Sequence, residues 1–405
     1  MFYNGCVETT KLDFKLSDRV QRIKPSPTLA ITARAGELRA QGKDIIGLGA
    51  GEPDFDTPEH IKVAATKAIA DGFTKYTAVD GTPSLKQAII DKLSRDNQLN
   101  YTPKQILVSC GGKQSFFNLT QALLNEGDEV IIPAPYWVSY PDMVLLADGK
   151  PVIVEAGIEQ NFKITPEQLE AAITDKTRLV VINSPSNPSG IAYSRAELAD
   201  LGQVLLKYPD VLVATDDMYE HILWSDEAFS NIVMACPELY DRCIVLNGVS
   251  KAYSMTGWRI GYAAGPENLI KAMKKIQSQS TSNPTSISQV AAEAALTGDQ
   301  SCVATMLEAF KERHEYVNKR LNAIDGITCL PSDGTFYAFP NVLEFIEKID
   351  GVNDDMELSE YLIEKAGVAL VPGTAFGSPG NIRISFATSL EVLEDALNRI
   401  ENVIS

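Results

Sequence analysis

The chain is poor in the residues and runs that define several large functional classes. It has only three histidines, His60, His221 and His314, and their spacing matches no metal-ligand pattern. A histidine-based metal centre is therefore not expected. Its six cysteines (Cys6, Cys110, Cys236, Cys243, Cys302 and Cys329) are scattered and include no C-x-x-C pair, which reads as reduced thiols rather than a disulfide framework. Basic residues are outnumbered, 36 against 53 acidic, for a net charge of −17. Nucleic acid, which needs a basic face, is not an expected partner, although a local anion pocket remains open. No apolar run approaches the length of a membrane-spanning helix. The first residues, MFYNGCVETTKLDF, lack the apolar stretch of an export signal. The expectation is a cytoplasmic protein with no membrane partner.

What is present is an ordinary globular composition, 45% hydrophobic and 22% charged over 405 residues, too long for one simple core. From about residue 55 to 300, short β-branched runs alternate with helical patterns. The runs at 105–109, 129–132, 151–155, 178–183, 211–215, 243–247 and 259–264 are apolar at successive positions. They read as strands covered on both faces, in a mostly parallel sheet with helical crossovers. Thr57-Pro58-Glu59 and Thr82-Pro83 read as helix starts with a cap and an N-terminal proline. Thr165 with Gln168, and Ser194 with Glu197, read as capping boxes. After residue 300 a long amphipathic helix (303–321) precedes short strands and helices, which suggests a smaller α+β domain. The first fifty residues are expected to pack with that C-terminal part. The expected division is a large domain over 55–300, a small domain from 17–54 and 301–405, and an N-terminal extension over 1–16.

Ligands of open α/β sheets sit beyond the carboxyl ends of the strands, and four such loops carry unusual residues. Cys110-Gly111-Gly112-Lys113 follows the first strand and opens a helix. Free amides at a helix start suit a phosphate or carboxylate, but on its own the run is better read as a plain tight turn. Ser184-Pro185-Ser186-Asn187-Pro188-Ser189-Gly190 is a rigid loop that would hold Asn187. Asp216 and Asp217 end an apolar strand, with Tyr219 close behind. An acid buried there needs a cation or donor. The run from Gly248 to Gly261 crowds small residues around Lys251, with Arg259 eight positions later. Partial desolvation in such a setting lowers a lysine's pKa and suits it to Schiff-base chemistry.

The run from Gly248 to Gly261, Asn187-Pro188-x-Gly190, Asp216-x-x-Tyr219 and Ile382-Arg383-Ile384-Ser385 together resemble the class I pyridoxal-phosphate-dependent aminotransferases of fold type I. Gly51-Glu52-Pro53-Asp54-Phe55, Gly111-Gly112-Lys113-Gln114 and Tyr136-Trp137-Val138-Ser139-Tyr140 narrow the likeness to the bacterial-type aspartate (aspartate/prephenate) aminotransferases. It runs from about residue 17 to the C-terminus with every motif in order. The resemblance implies an α/β fold, a large domain with a mostly parallel sheet plus a smaller α+β domain, and pyridoxal 5'-phosphate as cofactor. It further implies that Lys251 holds the cofactor covalently and later shuttles the substrate Cα proton. Asp216 would pair with the pyridine nitrogen, Tyr219 and Asn187 with the ring hydroxyl oxygen, and Trp137 would stack on the ring. Gly111, Gly112, Lys113, Ser250, Arg259 and a partner subunit's Tyr76 would hold the phosphate. Arg383 would clamp the substrate α-carboxylate, with the Gly51 amide assisting.

Three departures from the family pattern stand out. Ser189 replaces a common threonine, and Asp217 a common glutamate. The segment Gln277-Ser278-Gln279-Ser280 lacks the arginine by which animal-type enzymes bind the distal carboxylate. The resemblance assigns that work to Lys113 with a partner-subunit Ser278, and more weakly to Lys24. The implied activity is amino transfer from L-aspartate to 2-oxoglutarate by a homodimer with shared active sites. The alternatives are a dual aspartate/prephenate aminotransferase, another class I amino acid aminotransferase, an elimination enzyme using the same cofactor, or a regulator that kept the fold and lost the chemistry.

Overall fold

The computed structural model describes residues 15–404. Cys6 and residues 1–14 of the expected extension lie outside the described residues. Strand β1 (Ile46–Gly47) precedes a seven-stranded sheet made of β2 (Ile106–Ser109), β3 (Glu129–Ala134), β4 (Lys150–Glu155), β5 (Thr177–Asn183), β6 (Leu212–Asp216), β7 (Cys243–Gly248) and β8 (Gly261–Ala264). Their spatial order is β2-β8-β7-β6-β5-β3-β4. The pairs β4–β3, β3–β5, β5–β6 and β6–β7 are parallel, and β8 runs antiparallel to both its neighbours.

Successive residues of a strand face opposite sides, which explains the unbroken apolar runs. Ile131, Val180 and Ile182 enter one core with Ile61, Leu85 and Leu201. Val130, Ile132, Leu179 and Val181 enter the other with Phe116, Leu119 and Met273. The run at 151–155 departs from this reading: β4 is one of the two edge strands, and Lys150 and Ile153 are exposed, whereas β2 at the other edge is buried throughout.

A third core, with Phe310, Phe336, Phe345 and Leu393, is built mainly from residues beyond 300 and also takes in Leu48, Tyr219 and Ile222. There β9 (Tyr337–Ala338), β11 (Val371–Pro372) and β12 (Ile382–Ser385) pair in the order β11-β12-β9, and β10 (Val368–Ala369) pairs with β1. That pairing, with Ala35 and Leu38 packed on Ile363 and Ala369, joins the N-terminal segment to the C-terminal part.

Local signals match in most places. Thr82, Thr165 and Ser194 cap their helices, the last two as full capping boxes. Thr57 does not cap: the helix Glu59–Ala70 follows Pro58, and the Thr57 hydroxyl instead donates to Ser254 O (2.7 Å) and accepts from Trp258 Nε1 (2.9 Å). The five described cysteines are free. Among the described residues, no helix is long and apolar enough to cross a membrane.

Candidate active site

The strands β2, β3, β5, β6 and β7 end at one edge of the sheet, and the loops that follow enclose a cavity of about 430 Å³. Its wall includes Gly51, Gly112, Lys113, Trp137, Asn187 and Asp216. Tyr219, Ser250, Lys251, Arg259 and Arg383 also line it, while the expected Gly111 lies beside Arg259 outside the lining. Residues spread over more than three hundred positions thus meet at one cavity.

Asp216 closes β6 and accepts a hydrogen bond from the buried Tyr140 hydroxyl (2.5 Å). Burial raises its pKa, and the Tyr140 and Met218 donors oppose that rise. Asp217 points away, held by Thr215 (2.7 Å) and Asn231 (2.6 Å), and burial followed by the Glu220 charge pushes it up to about 7. The two adjacent acids are thereby separated into one that faces the cavity and one that does not.

Lys251 lies in the loop after β7, and its ammonium donates to the Gly51 carbonyl. Loss of water, and then the Arg383 charge, push its pKa down to about 8. Arg383 is 2% exposed, on β12. It donates to Asn187 Oδ1 (2.8 Å) and Gly49 O (2.7 Å), while its buried Nε has no partner among the described residues. Its guanidinium lies between the rings of Tyr337 (4.4 Å) and Phe376 (5.0 Å). A buried guanidinium with an idle donor and no carboxylate is costly unless an anion joins it.

Lys113 is an exposed residue, but its ammonium leans over the Trp137 ring (5.1 Å), where loss of water and then the Arg259 charge lower its pKa. The glycines match close approach. At Gly111 (φ 86°) a Cβ would run into the Arg259 guanidinium, and at Gly112 it would lie 2.6 Å from Met218 Cε. Four cations (Lys113, Lys251, Arg259, Arg383) face the cavity against two carboxylates, Glu52 and Asp216. Among the described residues none of the four is ion-paired. A locally positive cavity in a chain of net charge −17 suits small anions.

Three expected residues are not brought in by this chain. Tyr76 is 91% exposed. Ser278 ends the helix Glu267–Ser278, exposed, and donates to Lys275 O (2.7 Å) of its own helix. Lys24 is exposed outside the cavity, next to Asp142. The Gly51 amide has no part in the observed contacts; its carbonyl does. Motif reading missed two tyrosines. Tyr140 stood inside a quoted motif without a role. Tyr337, whose hydroxyl meets that of Tyr219 (2.9 Å), lies in an apolar run with no distinguishing signal.

Residues 43–400 match the family described as aminotransferase class I and II. The chain is 63% identical to an aspartate/prephenate aminotransferase of Nitrosomonas europaea, over 96% of this chain and 100% of that one. It is 57% identical to one of Cereibacter sphaeroides, over 95% and 98%. The crystal structure of an aspartate aminotransferase from Rhizobium meliloti superposes with a TM-score of 0.93 at 49% identity, covering 96% of this chain and 99% of that one. A cavity built by these motifs, in this fold, at these identities, makes the chain a member of the class I and II aminotransferases.

Proposed function

We propose that this aminotransferase moves the amino group of L-aspartate to 2-oxoglutarate, giving oxaloacetate and L-glutamate, with pyridoxal 5'-phosphate as cofactor. The observation that carries the reading is the buried, unpaired Arg383 with its idle Nε, in one cavity with Lys251 and Asp216. An α-carboxylate supplies the missing anion. The residues present also fit the cofactor. Gly111 and Gly112 leave room where side chains would clash, Arg259 offers a cation for a phosphate, Asp216 is a buried acid for a pyridine nitrogen, and Lys251 is a desolvated amine.

When bound, pyridoxal 5'-phosphate supplies an electron sink for the carbanion at the substrate Cα. The chain's own residues do the rest. Arg383 orients the α-carboxylate, with Asn187 fixing the guanidinium from its other side. Lys251, whose pKa is pushed down to about 8, takes and returns the Cα proton as the free amine. Asp216, which accepts from Tyr140, would pair with the pyridine nitrogen. Tyr219 and Asn187 would donate to the ring hydroxyl oxygen, and Trp137 would lie against the ring. The amides of residues 111–113, Ser250 and Arg259, with a partner subunit's Tyr76, would hold the phosphate. Lys113, a partner subunit's Ser278 and more weakly Lys24 receive the distal carboxylate.

We place the large domain at 55–300 and the small one at 17–54 and 301–405, and read the enzyme as a cytoplasmic homodimer acting on small amino and 2-oxo acids. The names of the relatives at 63% and 57% identity favour a second reading, that prephenate is also an acceptor. An amino-donor panel with 2-oxoglutarate, followed by an acceptor panel including prephenate, tests both. Low turnover of aspartate beside fast turnover of a monocarboxylic donor would refute the first.

A further inference from the structure

We propose that Tyr337 is a positioning residue that couples the carboxylate clamp to Tyr219. Its ring carries the Arg383 guanidinium and its hydroxyl meets that of Tyr219, so that filling the clamp changes how strongly Tyr219 donates into the cavity. The inference rests on the amino-transfer reading above and adds a role for a residue outside the motifs.

Tyr337 lies on β9, where it pairs with Ser385 two residues beyond Arg383 on β12. It is 1% exposed. The Arg383 guanidinium sits 4.4 Å above its ring centroid, a cation–π distance. Its hydroxyl is 2.9 Å from the Tyr219 hydroxyl, and either oxygen can be the donor. Tyr219 itself follows Asp216 by three residues and faces the cavity. One side chain therefore touches both the group that binds the substrate carboxylate and the group that faces the cofactor ring.

Each phenol has one hydrogen. When Tyr219 turns its hydrogen to an acceptor in the cavity, the pair stays bonded only if Tyr337 donates to the Tyr219 oxygen. Donation into that oxygen polarises the Tyr219 O–H and strengthens its own bond. A guanidinium 4.4 Å over the Tyr337 ring makes Tyr337 a better donor, and the Arg383 charge opposes the rise that burial gives to the pKa of both phenols. A carboxylate on Arg383 cancels part of that field and weakens the chain of donors. The charges facing the pair are Arg383 from β12 and Asp216 from the end of β6, and Lys251 lines the same cavity from the loop after β7. Tyr140 adds a neutral donor on Asp216. Of these charges Arg383 lies against Tyr337, and it is the one a substrate neutralises.

The test uses the holoenzyme, wild type and Tyr337→Phe, which keeps the ring under Arg383 and removes the hydroxyl. The pH at which the bound cofactor's absorption band changes is measured with and without saturating maleate, a non-reactive dicarboxylate. Maleate should raise that pH in wild type, and the rise should shrink by about 0.5 pH unit, roughly threefold in the proton equilibrium, in Tyr337→Phe. An equal rise in both proteins overturns the coupling. No rise in wild type, with maleate binding verified by calorimetry, overturns the clamp reading and the coupling with it. Should Tyr337→Phe fail to fold, 3-fluorotyrosine placed at position 337 keeps the hydrogen bond with a more acidic donor. It should lower the transition pH of the ligand-free holoenzyme, and an unchanged value refutes the proposal.

Discussion

At the scale of single residues, adjacent identical side chains do different work because their donors differ. Asp216 has the Tyr140 hydroxyl and the cavity, whereas Asp217 has Thr215 and Asn231 and no access to the cavity. Asp216→Asn should therefore cost about 10²-fold or more in kcat, the loss expected when a preorganised charge is removed from the reacting centre. Asp217→Asn should act chiefly on stability, and a larger kcat loss there than at Asp216 would show the register to be wrong. The cations divide by depth in the same way. Arg383 is buried and held by Asn187 and Gly49, whereas the Lys113 ammonium lies at the rim over Trp137. Lys113→Ala should lose roughly ten- to a hundredfold in kcat/KM on aspartate, the worth of one charge-assisted contact, and little on phenylalanine. Arg383→Ala should fail on every donor, since all carry the same α-carboxylate. Equal losses on aspartate and phenylalanine in Lys113→Ala would move the dicarboxylate role elsewhere.

Elements are held by contacts that sequence patterns locate only in part. The helix Ser301–Leu321 covers the C-terminal core through Met306, Phe310, Val317 and Leu321, as its amphipathic spacing implies. It also buries His314, whose Nε2 accepts from the Ser332 amide (2.9 Å) against the Trp224 ring. Loss of water pushes the His314 pKa down to about 4, from an ordinary 6.5. As pH falls the unfolded chain takes up this proton first. The stability linked to His314 is thus fully present above pH 6.5 and is lost as pH falls toward about 4. The denaturation midpoint of wild type should decline across that window more steeply than that of His314→Gln, which has no proton to gain. Parallel declines would place the acid sensitivity in another group.

For the molecule as a whole, Val63, Ile69, Phe73 and Tyr76 are exposed, Tyr76 almost completely, and Tyr76 and Ser278 stand outside the cavity. In the homodimer proposed above, a second copy would supply both residues. Mixing inactive Lys251→Ala protein with an inactive Tyr76→Ala variant should restore part of the activity through hybrid dimers that hold one intact site. A fully active monomer in sedimentation, or no recovery on mixing, would count against shared sites.

Features governed by spacing along the chain were legible without coordinates. Unbroken apolar runs placed the strands, because successive residues of a buried strand enter opposite cores. Thr165 and Ser194 revealed their helix starts, because a capping box closes within four residues. Lys251, Asp216 and Asn187 stood out at the ends of apolar strands, but their roles came from the family resemblance, because a strand end alone fits a plain loop as well. Thr57 misled because a distant Trp258 and Ser254 outcompeted the helix for its hydroxyl. The partners of Asp216 and Tyr219 were invisible for a related reason. Tyr140 meets Asp216 across 76 positions, and Tyr337 meets Tyr219 across 118. A hydrogen bond or a cation–π contact between remote residues follows no period along the chain. It exists only once β6, β9 and β12 have been packed to within a few ångströms, and that packing is the work of the whole core.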